Sequence, residues 1–273
     1  MDIFTLKDKV FIITGASGLL GRQHAEAIAM YGGIPILLDL YDDVLNNQVK
    51  EIEKKFGIKT KGYQVDITNE NAVEQNCNTI INDFGKIDGL VNNAANNPKV
   101  ENSEEVNFSR LEFFSEKIWE NDLAVGLKGA FLCTKHYGFQ IAKNKDGGSI
   151  VNISSDLGLI APDQRLYAIP GLPEQQQPVK PVTYSVVKTG LIGLTRYVAT
   201  YWADKNVRCN AICPGGVENN QNENFLNEVR KRIPMNRMAL KNEYQGLLVF
   251  LLSNASSYVN GAVIAADGGR TAW

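Results

Sequence analysis

"KVFIITGASGLLGR", residues 9–22, runs from an apolar, β-branched stretch through a glycine-rich turn into the start of a helical pattern. An unbroken apolar run of this length reads as a strand buried on both faces. Glycines at 15, 18 and 21 then supply a tight turn, close backbone approach and room for a helix to pack on the strand. A helix beginning there offers free N–H groups and the positive end of its dipole, which together receive a pyrophosphate. Ser17 adds a hydroxyl. The stretch predicts a strand–loop–helix unit for a dinucleotide, with Gly15, Ser17, Gly18, Leu20 and Gly21 as its binding residues.

The same rhythm continues outward. Short runs at 34–40 (IPILLDL), 59–66 (KTKGYQVD), 86–93 (KIDGLVNN), 148–154 (GSIVNIS), 206–215 (NVRCNAICPG) and 262–269 (AVIAADGG) read as further strands. Helical patterns starting at Leu19, Asp42 and Asn69, over about 109–142, and around Tyr184 separate them. Alternation of this kind predicts an α/β fold: a single Rossmann-type, doubly wound, seven-stranded parallel sheet with helices on both faces. At 273 residues the chain reads as one dinucleotide-binding domain over 1–273. Asp39, at the end of the second strand, can accept hydrogen bonds from an adenosine ribose, and its neighbours Leu40, Tyr41, Asp42 and Asp43 offer no cation for a 2′-phosphate. That favours NAD over NADP.

Composition excludes several classes. A net charge of −2 with no basic stripe argues against nucleic acid. No apolar run reaches the roughly 20 residues of a membrane helix, and the N-terminus lacks a basic region followed by a cleavage site, so a soluble, cytoplasmic protein is expected. Cys77, Cys133, Cys209 and Cys213 show no CxxC spacing and only two histidines exist, so no metal site is expected and the thiols read as core residues.

Two features mark the chemistry. In "VTYSVVKTG", residues 182–190, Tyr184 and Lys188 stand four apart on one helix face, able to reach a common point. Just before them, residues 159–182 carry five prolines and three consecutive glutamines, which forbids a regular helix or central strand and suggests a loop bordering a site.

With TGASGLLG at 14–21, Asp66, NNAA at 92–95, NISS at 152–155, YSVVK at 184–188 and CPGGV at 213–217, the chain resembles the short-chain dehydrogenase/reductase family almost end to end. The resemblance implies a catalytic Ser155, Tyr184 and Lys188: Tyr184 as general acid/base, Lys188 lowering its pKa and holding the nicotinamide ribose, Ser155 orienting the substrate oxygen. It places Asp66 and Ile67 beside adenine, Asn93 and Ala94 along the cofactor cleft, and Pro214, Gly215 and Val217 beside the nicotinamide carboxamide. It also implies a homo-oligomer, tetramer or dimer, joined through the helix containing "LAVGLKGAFLCTKHYGF", residues 123–139.

The chain departs from the family pattern at Gly126, where an asparagine usually holds a water of the proton relay, and Asn121 does not take over that place. Tyr184 follows Ser155 by 29 positions, so 159–182 is an insertion beside the reaction centre, and 96–119 is a second enlargement bordering the same cleft. Their amide and charged side chains, Gln175, Gln176 and Gln177 among them, point to a polar, sugar-derived substrate, a sugar or a sugar nucleotide. The style of these motifs is similar to oxidoreductases of bacterial surface-sugar and flagellin-glycosylation pathways. The expected activity is NAD(P)-dependent interconversion of a secondary alcohol and a ketone. The alternatives are a 3-oxoacyl carrier-protein reductase and a catalytically silent dinucleotide-binding or redox-sensing protein.

Overall fold

The computed structural model describes residues 2–96 and 107–273. Its centre is a seven-stranded sheet in the order β3-β2-β1-β4-β5-β6-β7, all pairs parallel. The strands are β1 (Val10–Thr14), β2 (Ile34–Asp39), β3 (Lys61–Gln64), β4 (Gly89–Asn92), β5 (Gly148–Ile153), β6 (Val207–Pro214) and β7 (Val263–Ala266). The order reverses between β1 and β4, and in such sheets ligands bind outside the strand ends at that switch point.

Successive strand residues face opposite sides, so each strand feeds two cores. Phe11 and Ile13 of β1 pack in one core with Leu37, Val91 and Val151, while Val10 and Ile12 pack in the other with Ile36, Leu90 and Ile150. The first core is covered by α1 (Leu19–Met30), α2 (Asp42–Phe56) and a late helix, α9 (Gln245–Leu252). Covering the second are α3 (Glu70–Phe84), a long helical rod and α7 (Val182–Tyr201). The rod strings together α4 (Glu116–Leu123), α5 (Gly129–Cys133) and α6 (Phe139–Ile141) through π-helical turns at Ala124–Lys128 and Thr134–Gly138. All four cysteines are buried, and Cys77, Cys133 and Cys209 share the second core.

Two sequence expectations change, and a third holds. The rod begins at Glu116 rather than near 109, because Asn107 Oδ1 accepts from both the amide and the hydroxyl of Ser109 (3.1 and 2.7 Å), a local turn that competes with the helix. α8 (Glu223–Arg230) and α9 lie in a region where the sequence reading placed no helix. The stretch 159–182 is a strap of two single 3₁₀ turns, Gln164–Tyr167 and Glu174–Gln176, without helix or strand before α7, as its prolines require. Leu166 of the strap packs with Leu226 and Val229 of α8, Ile233 and Met238, and Asp163 Oδ2 meets Arg232 Nε at 2.7 Å. Of the second enlargement, residues 97–106 lie outside the described residues.

Candidate active site

A cleft of about 970 Å³ opens over the carboxyl ends of the strands, running from Asp39 past the β1 loop to Tyr184. At one end is the glycine loop. Gly15 has φ +62°, and a Cβ there would lie 2.8 Å from Ala94 Cα, so only glycine allows the β1 and β4 ends to approach. Gly21 is the packing glycine: a Cβ would sit 2.2 Å from Gly15 O, and its place is beneath the loop, not in the cleft wall. Gly18 caps α1 without a side-chain hydrogen bond, which leaves the first helical N–H groups to the cleft. Ser17 Oγ is buried without a partner among the described residues, and Ser17 and Leu20 line the cleft. A glycine cradle, an uncapped helix start and an orphaned hydroxyl fit a pyrophosphate.

Asp39 lines the end of the cleft away from Tyr184, with Oδ2 accepting the Ser17 amide at 2.9 Å and Oδ1 the Leu40 amide at 2.8 Å. Asp66 and Ile67 line the wall beyond β3. Asn93 and Ala94 also face the cleft, but the Asn93 amide is occupied: Nδ2 donates to Thr14 O (2.9 Å) and Gly15 O (3.0 Å), tying β4 to the loop. Pro214, Gly215 and Val217 line the far end.

There β5 and α7 bring Ser155, Tyr184 and Lys188 together. Lys188 is buried, and its Nζ donates to Ile153 O at 2.9 Å and lies 5.7 Å from the Tyr184 ring centroid. Ser155 and Tyr184 line the same end of the cleft, and the Ser155 hydroxyl acts to lower the Tyr184 pKa. Ser154, by contrast, spends its hydroxyl on Lys188 O (2.7 Å), holding α7 to β5.

The electrostatics differ from expectation. Burial pushes the Tyr184 phenol above its ordinary value, the Ser155 hydroxyl works against this, and the Asp156 charge adds to it. Lys188 is itself brought down to about 8, chiefly by burial and then by the neighbouring Lys180. Desolvation therefore sets the direction at Tyr184, upward rather than the downward shift expected from Lys188.

Gly126 sits in the first π-helical turn, where a Cβ would lie 2.5 Å from Val187 Cγ1, so no side chain fits unless α7 yields. Asp122 fills the space nearby, its Oδ1 accepting from Asn96 Nδ2 (2.7 Å) and Oδ2 from Thr183 Oγ1 (2.5 Å). A cavity of about 10 Å³ lies between these groups, Gly126 and Lys188.

Among the cleft residues that escaped the sequence reading are the polar groups Asp156, Tyr167, Lys180 and Arg270. Lys180 Nζ stands 3.8 Å from the Tyr184 ring centroid, and burial lowers it to about 8. Tyr167 and Lys180 belong to the strap, which therefore lines the cleft beside Tyr184. The glutamines do not line the cleft. Gln177 is used internally, with Oε1 accepting from Ile169 N and Nε2 donating to Ile169 O (both 2.8 Å) and to Leu172 O (2.9 Å).

Comparison with known proteins follows the same lines. A short chain dehydrogenase family model matches residues 9–168, and an enoyl-(acyl carrier protein) reductase model matches 174–271. An NADP-dependent mannitol dehydrogenase of Hypocrea jecorina is 33% identical over 99% of this chain and 95% of its own length. A 3-oxoacyl-[acyl-carrier-protein] reductase of Thermotoga maritima is 32% identical over 97% of this chain and 98% of its own. The crystal structure of an NAD+-bound xylitol dehydrogenase superposes with a TM-score of 0.83 at 26% identity, covering 97% of this chain and 99% of that one. With a family model spanning more than half the sequence, a relative alike nearly end to end, and the expected residues gathered on one cleft, the chain belongs to the short-chain dehydrogenase family of NAD(P)-dependent oxidoreductases.

Proposed function

We propose that the protein interconverts a secondary alcohol and a ketone on a small polyhydroxylated substrate, with NAD as its preferred cofactor, and that residues 1–273 act as one cofactor-binding domain. The observation that carries the reading is the meeting of Ser155, Tyr184 and Lys188 at the end of the cleft away from Asp39. The cofactor, when bound, supplies or accepts the hydride. Tyr184 moves the proton at the substrate oxygen, and Ser155 holds that oxygen against the phenol. Lys188, fixed by Ile153 O, keeps a cation beside the phenol and reaches the nicotinamide ribose. Gly15, Ser17, Gly18 and Leu20 take the pyrophosphate, with Gly21 supporting them; Asp66, Ile67, Asn93 and Ala94 take the adenine side, and Pro214, Gly215 and Val217 the nicotinamide.

The NAD preference rests on this chain's own Asp39. A 2′-phosphate placed near it meets a carboxylate, although the mannitol dehydrogenase relative is named NADP-dependent. A polyol or related sugar-derived substrate is supported by the names of two of the similar proteins and by the polar strap residues Tyr167 and Lys180 at the reaction centre. The similarity to a 3-oxoacyl carrier-protein reductase supports a second reading on acyl thioesters. Purified protein given NAD+ or NADP+ with D-mannitol, xylitol, D-sorbitol and D-gluconate, or NADH and NADPH with an acetoacetyl thioester, separates them. The expected result is polyol or sugar-acid oxidation with NAD+ that vanishes in Tyr184→Phe while NADH still binds. Turnover confined to the thioester, or undiminished in Tyr184→Phe, overturns the reading.

A further inference from the structure

The cavity of about 10 Å³ is the size of one water molecule. Its polar walls are Asn96, Asp122, Thr183, Tyr184 and Lys188. Asp122 is the one carboxylate in those walls among the described residues, and Lys188 the one ammonium. Each is only 5% exposed. A buried charge is costly unless an opposite charge and hydrogen bonds answer it.

A carboxylate has about four lone-pair positions. Asn96 Nδ2 takes one at Asp122 Oδ1 (2.7 Å) and Thr183 Oγ1 one at Oδ2 (2.5 Å), so acceptor positions remain. Of the three ammonium protons of Lys188, one goes to Ile153 O at 2.9 Å, so donors remain. No hydrogen bond joins the two groups directly among the described residues. Water, which accepts from one and donates to the other, fits the space they share. Gly126 brings nothing polar to it, since a Cβ there would lie 2.5 Å from Val187 Cγ1. Asp122 stands four positions earlier, on the same helix face, and supplies the acceptor that residue 126 does not.

We propose that Asp122 is a positioning residue and the counter-charge of Lys188: one water in this cavity accepts from the ammonium and donates to the carboxylate, holding the cation charged and aimed beside Tyr184. No covalent bond forms or breaks. The proposal rests on the preceding reading only for the importance it gives Lys188. Other groups face the same ammonium: Tyr184 on its own helix, Lys180 on the strap and Cys213 at the end of β6. Lys180 repels it, and Asp156, the carboxylate that faces Tyr184, is answered by Arg270 Nη1 at 2.8 Å. Asp122 opposes the Lys180 charge from the cavity side.

The full-length protein, labelled with carbon-13 at lysine Cε, is titrated by NMR without cofactor or substrate, and Lys188→Met assigns the resonance. Asp122→Asn keeps the shape and removes the charge. It should lower the pH at which Lys188 loses its proton by about one unit, a tenfold change in its ionisation constant. The shift should persist in about 0.5 M sodium chloride, because salt screens exposed charges far more than buried ones. Asp122→Leu with Thr183→Val, which removes the hydroxyl along with its acceptor, covers the case in which Asp122→Asn does not fold; Lys188 should titrate at least as low there. An unchanged titration, or a shift that salt abolishes, overturns the proposal. Failure of the oxidoreductase reading would show as absent turnover and leave this titration unchanged.

Discussion

Asp39 is a single carboxylate that holds the Ser17 amide and lines the cleft. Asp39→Ala should raise NADPH kcat/KM relative to NADH by about tenfold, about 1.4 kcal/mol, while weakening both cofactors through the loosened loop. Paired steady-state measurements check this. At Gly126 the missing asparagine has a steric reason: Gly126→Asn must displace Val187 and should cost about 1–3 kcal/mol in urea melts. His24, fully buried in α1 with neither ring nitrogen partnered among the described residues, is brought by burial from 6.5 to about 4. Its folded pKa is the lower one, so the unfolded chain binds the proton more readily. The stability it contributes is whole above pH 6.5 and is lost as pH falls towards 4, by up to about 3 kcal/mol. Urea melts across that range should show the slope in wild type and a flatter one in His24→Leu. The glycine loop and the Tyr184/Lys188 pair were legible because their spacing is local. The pairing of Asp156 with Arg270 was not: 114 positions separate them, and only the adjacency of β5, β6 and β7 brings them together.

At the level of elements, the strap and α8 form one roof over the reaction centre, joined by Leu166, by the Asp163–Arg232 pair and by Tyr167 against Phe225 at 6.0 Å. Tyr167→Ala removes a cleft-lining ring while leaving Leu166 in its cluster. It should raise KM for the oxidised substrate about tenfold and leave NADH affinity within about twofold, because the glycine loop lies on other strand ends. Steady-state kinetics beside NADH fluorescence titration read both numbers. A KM that stays put would make the strap a support for α8 only. The strap's irregular backbone followed from its prolines, but the role of its glutamines did not. A glutamine can serve solvent, ligand or its own turn, and the folded backbone around Ile169 decides that for Gln177. Likewise α8 and α9 follow the last strong motif: α9 is apolar almost all round and carries no stripe, while the stripe of α8, Phe225, Leu226 and Val229, spans only eight residues and gives a short signal.

For the molecule as a whole, alternation of short apolar runs with helical patterns was enough to give the sheet, since each parallel strand must feed two cores. The strand order and the switch point between β1 and β4 belong to tertiary packing, and they gather residues from both halves of the chain onto one cleft. The rod and α7 leave aromatic side chains outside: Phe131 is 50% exposed, Phe139 52% and Tyr197 64%. We propose that this surface joins copies of the chain. Light scattering at micromolar concentration should give a dimer or tetramer of the 30.1 kDa chain, and Phe131→Glu should shift it towards monomer.

The cysteines carry a consequence for following the protein in solution. Three thiols sit in one core layer, and burial raises Cys77 to about 11, Cys209 to about 12 and Cys133 higher still. They are shielded and poorly nucleophilic until that layer opens. Cys213 is apart from them, at the end of β6 beside Ser154, where the fold meets the cleft. A thiol-directed reagent therefore acts as a clock with two hands: Cys213 times openings of the cleft floor, and the other three time the parting of the helices from the sheet.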